Sequence, residues 1–333
     1  MSLRGTLRFL SLPGLLFLLV GLYLLAETFA ASIGLVLAMP LVGASNLEGV
    51  QKVLFEPSDA DLQDPAVLFA IKLINILVSA GKLLAGVFFL YMTTGHPVSA
   101  TGRERRPAWM MLGLAVAAMV VASPLIDSLH ALNQSAPISG QWLQQMRDWE
   151  DQASRLTNAI LKPATFVEGL TTFLMIAVLA AAWEELIFRG ILQRIIEAWT
   201  KNGHVAVWGS ALVFAAIHFQ FYSIVPRIAL GIILGYLFLW SRNLWIPIIG
   251  HFLNNATYVV YSWVAGPEKA ATVGDPSPWL GVLSAAALVS ILYLVHRYRD
   301  DQAPPPWDGL DPATGRLPMK PERKESEEPE DRF

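Results

Sequence analysis

Apolar stretches long enough to cross a lipid bilayer recur along this chain and limit the folds open to it. A membrane-spanning helix needs about 20 consecutive apolar residues. Most of the apolar stretches approach that length, and they lie at residues 9–39, 66–92, 108–126, 165–188, 205–220, 224–241, 244–264 and 278–296. Hydrophobic residues make up 54% of the chain and charged residues 15%, which leaves too little polar surface for a soluble globule of 333 residues. The sequence therefore predicts an all-α fold, a polytopic transmembrane helical bundle of about eight spans.

Charge and cysteine content exclude several classes of function. The net charge of −3 at pH 7 provides no basic field that would attract nucleic acid, so nucleic-acid binding is excluded. The chain has no cysteine, which excludes disulfides, thiolate metal sites and a cysteine nucleophile. Any chemistry must therefore use other side chains.

The distribution of Lys and Arg predicts the orientation of the bundle. An eight-span arrangement gathers most of the basic residues near the spans on one side: Arg4, Arg8, Arg103, Arg105, Arg106, Arg189, Arg194, Lys201, Arg242, Arg297 and Arg299. Because cytoplasmic loops carry an excess of Lys and Arg, both termini are predicted to be cytoplasmic, in a bacterial plasma membrane. The first apolar stretch could instead be a signal peptide, since Arg4 and Arg8 precede it and small residues follow.

The chain divides into five predicted parts. Residues 1–126 hold three N-terminal spans. Within 127–164, apolar residues recur at steps of three and four with acidic residues between them, which predicts an amphipathic helix on the membrane surface or capping the bundle. Residues 165–265 form a core of spans that contain polar motifs, and 266–299 contain the last span. Residues 300–333 lack apolar periodicity and predict a disordered tail.

Ionisable residues within the fourth apolar stretch are the first candidates for a functional site. Placing an ionisable residue in a bilayer costs about 2.5 to 3.5 kcal/mol on insertion scales, so such residues are functional candidates by default. Glu184 and Glu185 are adjacent, and Arg189 lies four residues after Glu185. That order favours a helical ion pair between Glu185 and Arg189, whereas Glu184 has no such local partner.

Two further apolar stretches bring polar groups to the same predicted depth. His218 lies in the fifth stretch, and the seventh contains His251 and Asn255, which share one face of a helix. The sequence Lys-Asn-Gly at 201–203 predicts a turn between two antiparallel helices. Glu184 lies 17 residues before Lys201 and His218 lies 17 after it, which predicts a shared site.

These residue types suit the hydrolysis of an acyl bond, above all a peptide bond. A carboxylate beside an imidazole in a low-dielectric cavity can activate water, and Glu184 is the predicted general base. His251 and Asn255 suit hydrogen-bond donation to an oxyanion, which contributes roughly 3 to 4 kcal/mol per donor in well-studied enzymes.

Three motifs in this region resemble those of the CAAX-protease and bacteriocin-processing (CPBP) family of intramembrane proteases, which includes type II CAAX prenyl endopeptidases. The motifs are Glu184-Glu185-x-x-x-Arg189, Phe214-x-x-x-His218 and His251-x-x-x-Asn255. The resemblance covers about a hundred residues, from the fourth to the seventh stretch. It implies that Glu185 and Arg189 hold the site together or position the substrate.

The same resemblance implies an intramembrane endopeptidase that cleaves membrane-associated protein or peptide substrates. Glu184 and His218 would activate the attacking water, and His251 and Asn255 would stabilise the oxyanion. This division of roles agrees with the chemistry inferred from the residues. Phe214 is predicted to pack.

The need for a metal is left open by the sequence. Glu184, His218 and His251 could form a zinc site with two histidines, one carboxylate and a water, as the metallopeptidase description of the family implies. The same residues also work without a metal, and there is no H-E-x-x-H helix.

Two other functions remain open. The polar residues could relay protons in a proton-coupled membrane transporter, although the sequence shows no duplicated half of the kind that many transporters have. A non-catalytic membrane scaffold of the same family would tolerate the loss of Glu184. Other charges in the first two stretches, Glu27, Lys72 and Lys82, are predicted to pair within the bundle or reach its edges, outside the site.

Overall fold

The fold is all-α, as the sequence predicts. A computed structural model describes residues 6–7, 10–44, 46–55, 57–94, 108–135, 141–271 and 277–299, and the regular secondary structure of these ranges is helical. The α-helices are α1 (Leu12–Ala38), α2 (Leu47–Phe55), α3 (Pro65–Thr94), α4 (Ala108–Gln134), α5 (Gln141–Ile160), α6 (Phe166–Phe173), α7 (Ala180–Glu185), α8 (Arg194–Thr200), α9 (Gly203–Ala216), α10 (Ile224–Ser241), α11 (Trp245–Ala265), α12 (Pro267–Ala271) and α13 (Pro278–Arg297).

The lengths of the apolar helices support an integral membrane protein. In the described ranges, six helical segments are long and apolar enough to cross a membrane: Leu12–Ala38, Pro65–Thr94, Trp109–Gln134, Phe166–Thr200, Phe221–Ser241 and Pro278–Arg297. The other two predicted spans correspond to α9 and α11. With 14 residues, α9 rises only about 21 Å, less than the roughly 30 Å of a hydrocarbon core. The 21 residues of α11 are long enough but include the polar motif residues.

The fourth span is one continuous helical segment, but it is not a uniform α-helix. Two π-helical segments, π1 (Leu174–Leu179) and π2 (Leu186–Gln193), lie on either side of α7. A π-turn is wider than an α-turn and often occurs at functional sites. Glu184 and Glu185 are the last two residues of the short α7 between these segments.

The predicted hairpin between α8 and α9 is confirmed. Lys201 ends α8 in the left-handed conformation with φ 53°, and the Asn202 side chain caps α9 by accepting from the backbone N–H groups of His204 and Val205. Phe188 and Phe214, each 13 residues from Lys201, meet with ring centroids 5.2 Å apart. The hairpin therefore has the register that the sequence predicts.

Helix α3 packs closely against the fourth span at Gly86. A Cβ on Gly86 of α3 would lie 2.8 Å from the Leu186 side chain, so α3 approaches π2 closely. One turn earlier, Lys82 forms an ion pair with Glu27 of α1 at 3.3 Å. The predicted pairing of intramembrane charges is therefore confirmed for these two residues.

Helix α5 occupies the predicted amphipathic region, and α4 before it continues to Gln134, eight residues beyond the predicted end of the third span. The predicted disordered tail, residues 300–333, lies outside the described residues.

The orientation of the bundle stays a prediction. Two of the basic residues on which this prediction is based, Arg189 and Arg194, are buried inside the bundle. Lys201 and Arg242 instead terminate α8 and α10 in the left-handed conformation, and Arg242 donates to both carboxylate oxygens of Glu197 at 2.7 Å. This link holds the ends of the two helices together.

Candidate active site

Glu185 is the centre of a fully buried polar network. Its Oε1 accepts a hydrogen bond from Arg189 Nη1 at 2.7 Å and one from His251 Nδ1 at 2.7 Å. Arg189 Nη2 donates to the Gly231 carbonyl of α10 at 3.0 Å. A buried charge is tolerated when it is paired and hydrogen-bonded, and the exposed fractions of Glu185 and Arg189 are 0% and 1%. The network ties the fourth span to α10 and α11.

The hydrogen bond to Glu185 fixes the ring of His251. With Nδ1–H donated to a carboxylate, the other ring nitrogen, Nε2, is directed towards Glu184 and lies 3.7 Å from its Oε2. Such an outer partner sets the tautomer and orientation of an imidazole. A separation of 3.7 Å exceeds a direct hydrogen bond and is compatible with a shared water.

Glu184 is buried, but its carboxyl group makes no hydrogen bond within the described ranges. The charged or chargeable group that faces it is the His251 ring. The side chain is 10% exposed. Glu184 and Glu185 are neighbours in sequence, yet Glu185 is committed to two donors whereas Glu184 is free to bind a water or substrate.

His218 lies beyond the end of α9 and packs against the Phe214 ring. Its Nδ1–H donates to the Phe214 carbonyl at 2.7 Å, which leaves Nε2 as an acceptor in the neutral ring. The Phe214 centroid is 5.0 Å from that of His218 and 6.0 Å from that of His251. Phe214 therefore packs, as predicted, and contacts both imidazoles. No hydrogen bond or ion pair joins His218 to Glu184 among the described residues.

The Asn255 side chain is hydrogen-bonded to π1 and to Asn254. Its Nδ2 donates to the Ile176 carbonyl of π1 at 3.0 Å, and its Oδ1 accepts from Asn254 at 3.1 Å. One hydrogen of the Asn255 amide is left for another acceptor. The oxyanion role predicted for His251 and Asn255 stays a prediction.

The three predicted metal donors do not converge. Glu184, His218 and His251 each present a free donor atom, and both histidines have the outer hydrogen bond typical of metal ligands. Within the described ranges, however, no group of three His, Cys, Asp or Glu residues is arranged so that it could hold a metal ion. This arrangement does not fit a bound zinc ion, and the prediction of a metalloprotease is unsupported.

Lys82 lies beside the site, which the sequence analysis missed. Its Nζ lies 4.6 Å from the Tyr23 ring centroid and 4.7 Å from that of Trp183, the residue before Glu184. The only signal in the sequence was weak, namely a lysine in an apolar stretch that could equally reach the edge of the bundle. Lys82 thus brings a positive charge from α3 to the edge of the site.

The backbone partners of the network were also missed. Arg189 and Gln193 lie one turn apart and donate to the carbonyls of Gly231 and Gly235, which are one turn apart on α10. A Cβ at Gly231 would lie 2.9 Å from that of Ala211, so α10 can approach closely only with glycine there. Glycine at steps of four in an apolar stretch was a readable signal of close helix packing.

Comparison with known proteins supports the resemblance of the core. Residues 166–257 match a family model described as type II CAAX prenyl endopeptidase Rce1-like. An uncharacterized protein of Bacillus subtilis, YpbD, is 32% identical to the chain over 89 residues. That alignment covers 26% of this chain and 42% of the relative, so the chain spans less than half of the relative's length. No solved structure matches the chain significantly.

Proposed function

We propose that the protein is an intramembrane endopeptidase, because residues 166–257 match the family model of Rce1-like type II CAAX prenyl endopeptidases. Its substrates are membrane-associated proteins or peptides, and it works in a bacterial plasma membrane with both termini in the cytoplasm. The observation that carries the proposal is the Glu185–His251 hydrogen bond, which directs His251 Nε2 towards the otherwise uncommitted carboxylate of Glu184.

The proposed reaction begins with a water beside Glu184. Glu184 removes a proton as the water oxygen attacks the carbonyl carbon of the peptide bond. His218 accepts a hydrogen bond from this water through Nε2 and helps to orient it. Collapse of the tetrahedral intermediate breaks the C–N bond, and Glu184 returns the proton to the leaving amine.

The geometry supports the proposed role of His251, because Glu185 holds its ring with Nε2 directed towards Glu184. When Nε2 also carries a proton, that N–H can donate to an oxyanion. The remaining hydrogen of the Asn255 amide supplies a second donor. Glu185 and Arg189 position His251 and take no part in proton transfer.

Cleavage by purified protein tests the proposal. Wild type, Glu184→Gln and His251→Ala in detergent or liposomes are assayed against a peptide library, with metal content measured in parallel. We expect wild type to cleave and both variants to lose cleavage, because one lacks the base and the other an oxyanion donor. Glu168→Gln is the matched control, since Gln also serves in the capping box at the start of α6.

Other outcomes would favour the alternative functions. Full cleavage by both variants would remove the proposed site. Proton-coupled uptake that is abolished in Glu184→Gln, with no proteolysis by wild type, would indicate a transporter. A partner-dependent phenotype that survives the loss of Glu184 would indicate a scaffold.

A further inference from the structure

The loop that carries His218 has a strained backbone. This loop, residues 217–223, joins α9 to α10 and is called the His218 loop below. Phe219, directly after His218, has φ 51°, in the left-handed region that is unfavourable for a bulky side chain. Such conformations persist when the surrounding structure over-determines them, and they cluster at functional sites. The neighbouring elements must therefore hold the loop.

Helix α5 holds the loop from outside the family-matched segment. Glu150 Oε2 accepts from the backbone N–H of Tyr222 at 3.3 Å, and its Oε1 accepts from the Ser223 hydroxyl at 3.0 Å. The neighbouring Trp149 stacks on Phe221, with centroids 6.4 Å apart. Two adjacent residues of α5 thus contact three consecutive residues of the loop.

Arg227, in the first turn of α10, binds the same loop from another direction. Its Nη1 donates to Ser223 Oγ at 2.9 Å, and its Nη2 donates to the side-chain oxygen of Gln220. The Ser223 hydroxyl is therefore shared by Glu150 and Arg227. The charges of the two residues are opposite, so each offsets the other in this half-buried setting.

Asn133 at the end of α4 completes the support. Its Nδ2 donates to the Phe221 carbonyl at 3.0 Å, and its Oδ1 accepts from the backbone N–H of Val225 at 2.8 Å. Backbone groups of the loop thus form hydrogen bonds with side chains of both α4 and α5.

We propose that Glu150 and Arg227 are positioning residues for His218. They fix the His218 loop through Tyr222 and Ser223, and so hold the imidazole at the site. This inference rests on the proposed function, in which His218 orients the attacking water. It assigns a role in the active site to α5, which lies outside residues 166–257.

The test combines steady-state cleavage with a probe of the loop. Glu150→Ala is compared with Asp151→Ala, the matched control, which removes an exposed acidic side chain from the next position of the same helix. Because a misplacement of about 1 Å can cost about 100-fold in rate, we expect Glu150→Ala to lower kcat by about 10- to 100-fold while KM stays within about twofold. Asp151→Ala should retain wild-type values.

Two further variants separate positioning from loss of folding. Glu150→Gln keeps an acceptor for the Tyr222 N–H and can donate to Ser223, so it should rescue most of the rate. Ser223→Ala removes the oxygen shared by Glu150 and Arg227 and should show a smaller loss of the same kind.

The absence of cysteine allows the loop to be labelled at one position. A spin label on Ile217→Cys, an exposed residue beside His218, should become more mobile with Glu150→Ala and keep its wild-type spectrum with Asp151→Ala. An unchanged spectrum, or equal losses of kcat in Glu150→Ala and Asp151→Ala, would overturn the inference. Absence of cleavage by the wild type would count against the proposed function instead, and the spin label would still decide whether Glu150 holds the loop.

Discussion

Adjacent glutamates in this protein have different surroundings, and that difference defines the site at the scale of residues. Glu185 accepts hydrogen bonds from Arg189 and His251 and is fully buried, whereas the Glu184 carboxyl faces His251 Nε2 across 3.7 Å. A carboxylate committed to two donors stabilises a fold, and an uncommitted one beside an imidazole can take part in proton transfer. We therefore propose that Glu185 stabilises the fold and that Glu184 carries out the chemistry.

Neutralising the two glutamates should separate these roles. Glu185→Gln leaves Arg189 buried without its counter-charge, and breaking a buried pair in this way costs about 3–5 kcal/mol. Glu184→Gln should abolish cleavage with little change in stability, because no described residue hydrogen-bonds that carboxyl. Thermal unfolding in detergent and cleavage assays measure both effects. Equal losses of stability in the two variants would contradict the assignment.

The amides of α11 offer a second comparison of neighbours. Asn255→Ala removes the proposed oxyanion donor and should lower kcat by about 100- to 1,000-fold. Asn254→Ala removes only the group that donates to Asn255 Oδ1 and should have a much smaller effect. Steady-state rates on one peptide substrate measure both variants, and a larger loss with Asn254→Ala would contradict the proposed donor.

Close packing of α9 against α10 sets the position of the Arg189 partner at the scale of elements. The Gly231 carbonyl can accept from Arg189 because α10 lies near α9, where a Cβ at Gly231 would meet Ala211 at 2.9 Å. The two π-helical segments around α7 also act at the scale of elements. A π-turn contains more residues than an α-turn, so these segments change the directions of the side chains before and after Glu184.

Adding one methyl group should disturb this packing. Gly231→Ala must push α10 away from Ala211, which costs about 1–3 kcal/mol by overpacking and weakens the bond from Arg189. Gly113→Ala on α4 is the control, since a Cβ there meets nothing within 4 Å. The midpoint of thermal unfolding in detergent should fall for Gly231→Ala and stay the same or rise for Gly113→Ala. Equal midpoints would contradict the close approach.

At the scale of the whole molecule, the N-terminal spans pack against residues 166–257, the segment that matches the family model. Lys82 connects them, since it pairs with Glu27 of α1 and lies over the rings of Tyr23 and Trp183. Trp183, the residue before the proposed general base Glu184, therefore packs against Lys82 of the N-terminal spans.

Removing the charge of Lys82 should weaken the packing between the N-terminal spans and residues 166–257. Lys82→Met loses two cation–π contacts, each about 0.5–2 kcal/mol, and should lower stability more than Glu27→Gln. The Glu27 side chain is 43% exposed, so its ion pair contributes little. Lys82→Arg should retain most of the stability. Unfolding midpoints of the three variants decide the order, and a larger loss in Glu27→Gln would contradict it.

The sequence by itself determined the membrane class, the α8–α9 hairpin and the motifs of the core. These features depend on local properties, namely the length of apolar stretches, the chemistry of the turn at 201–203 and the spacing of polar residues along one helix. The hairpin register followed from the same counting, as the meeting of Phe188 and Phe214 confirms.

Only the tertiary structure decided which groups face each other across helices. Counting from the turn placed Glu184 level with His218, but it is the His251 ring that lies 3.7 Å from the Glu184 carboxylate, and Phe214 packs against both imidazoles. The support of the His218 loop by α5 was likewise unreadable, since it joins residues 72 or more apart in sequence. The physical reason is that the relative rotation of packed helices depends on contacts between them and on π-turns, which no spacing within one helix records.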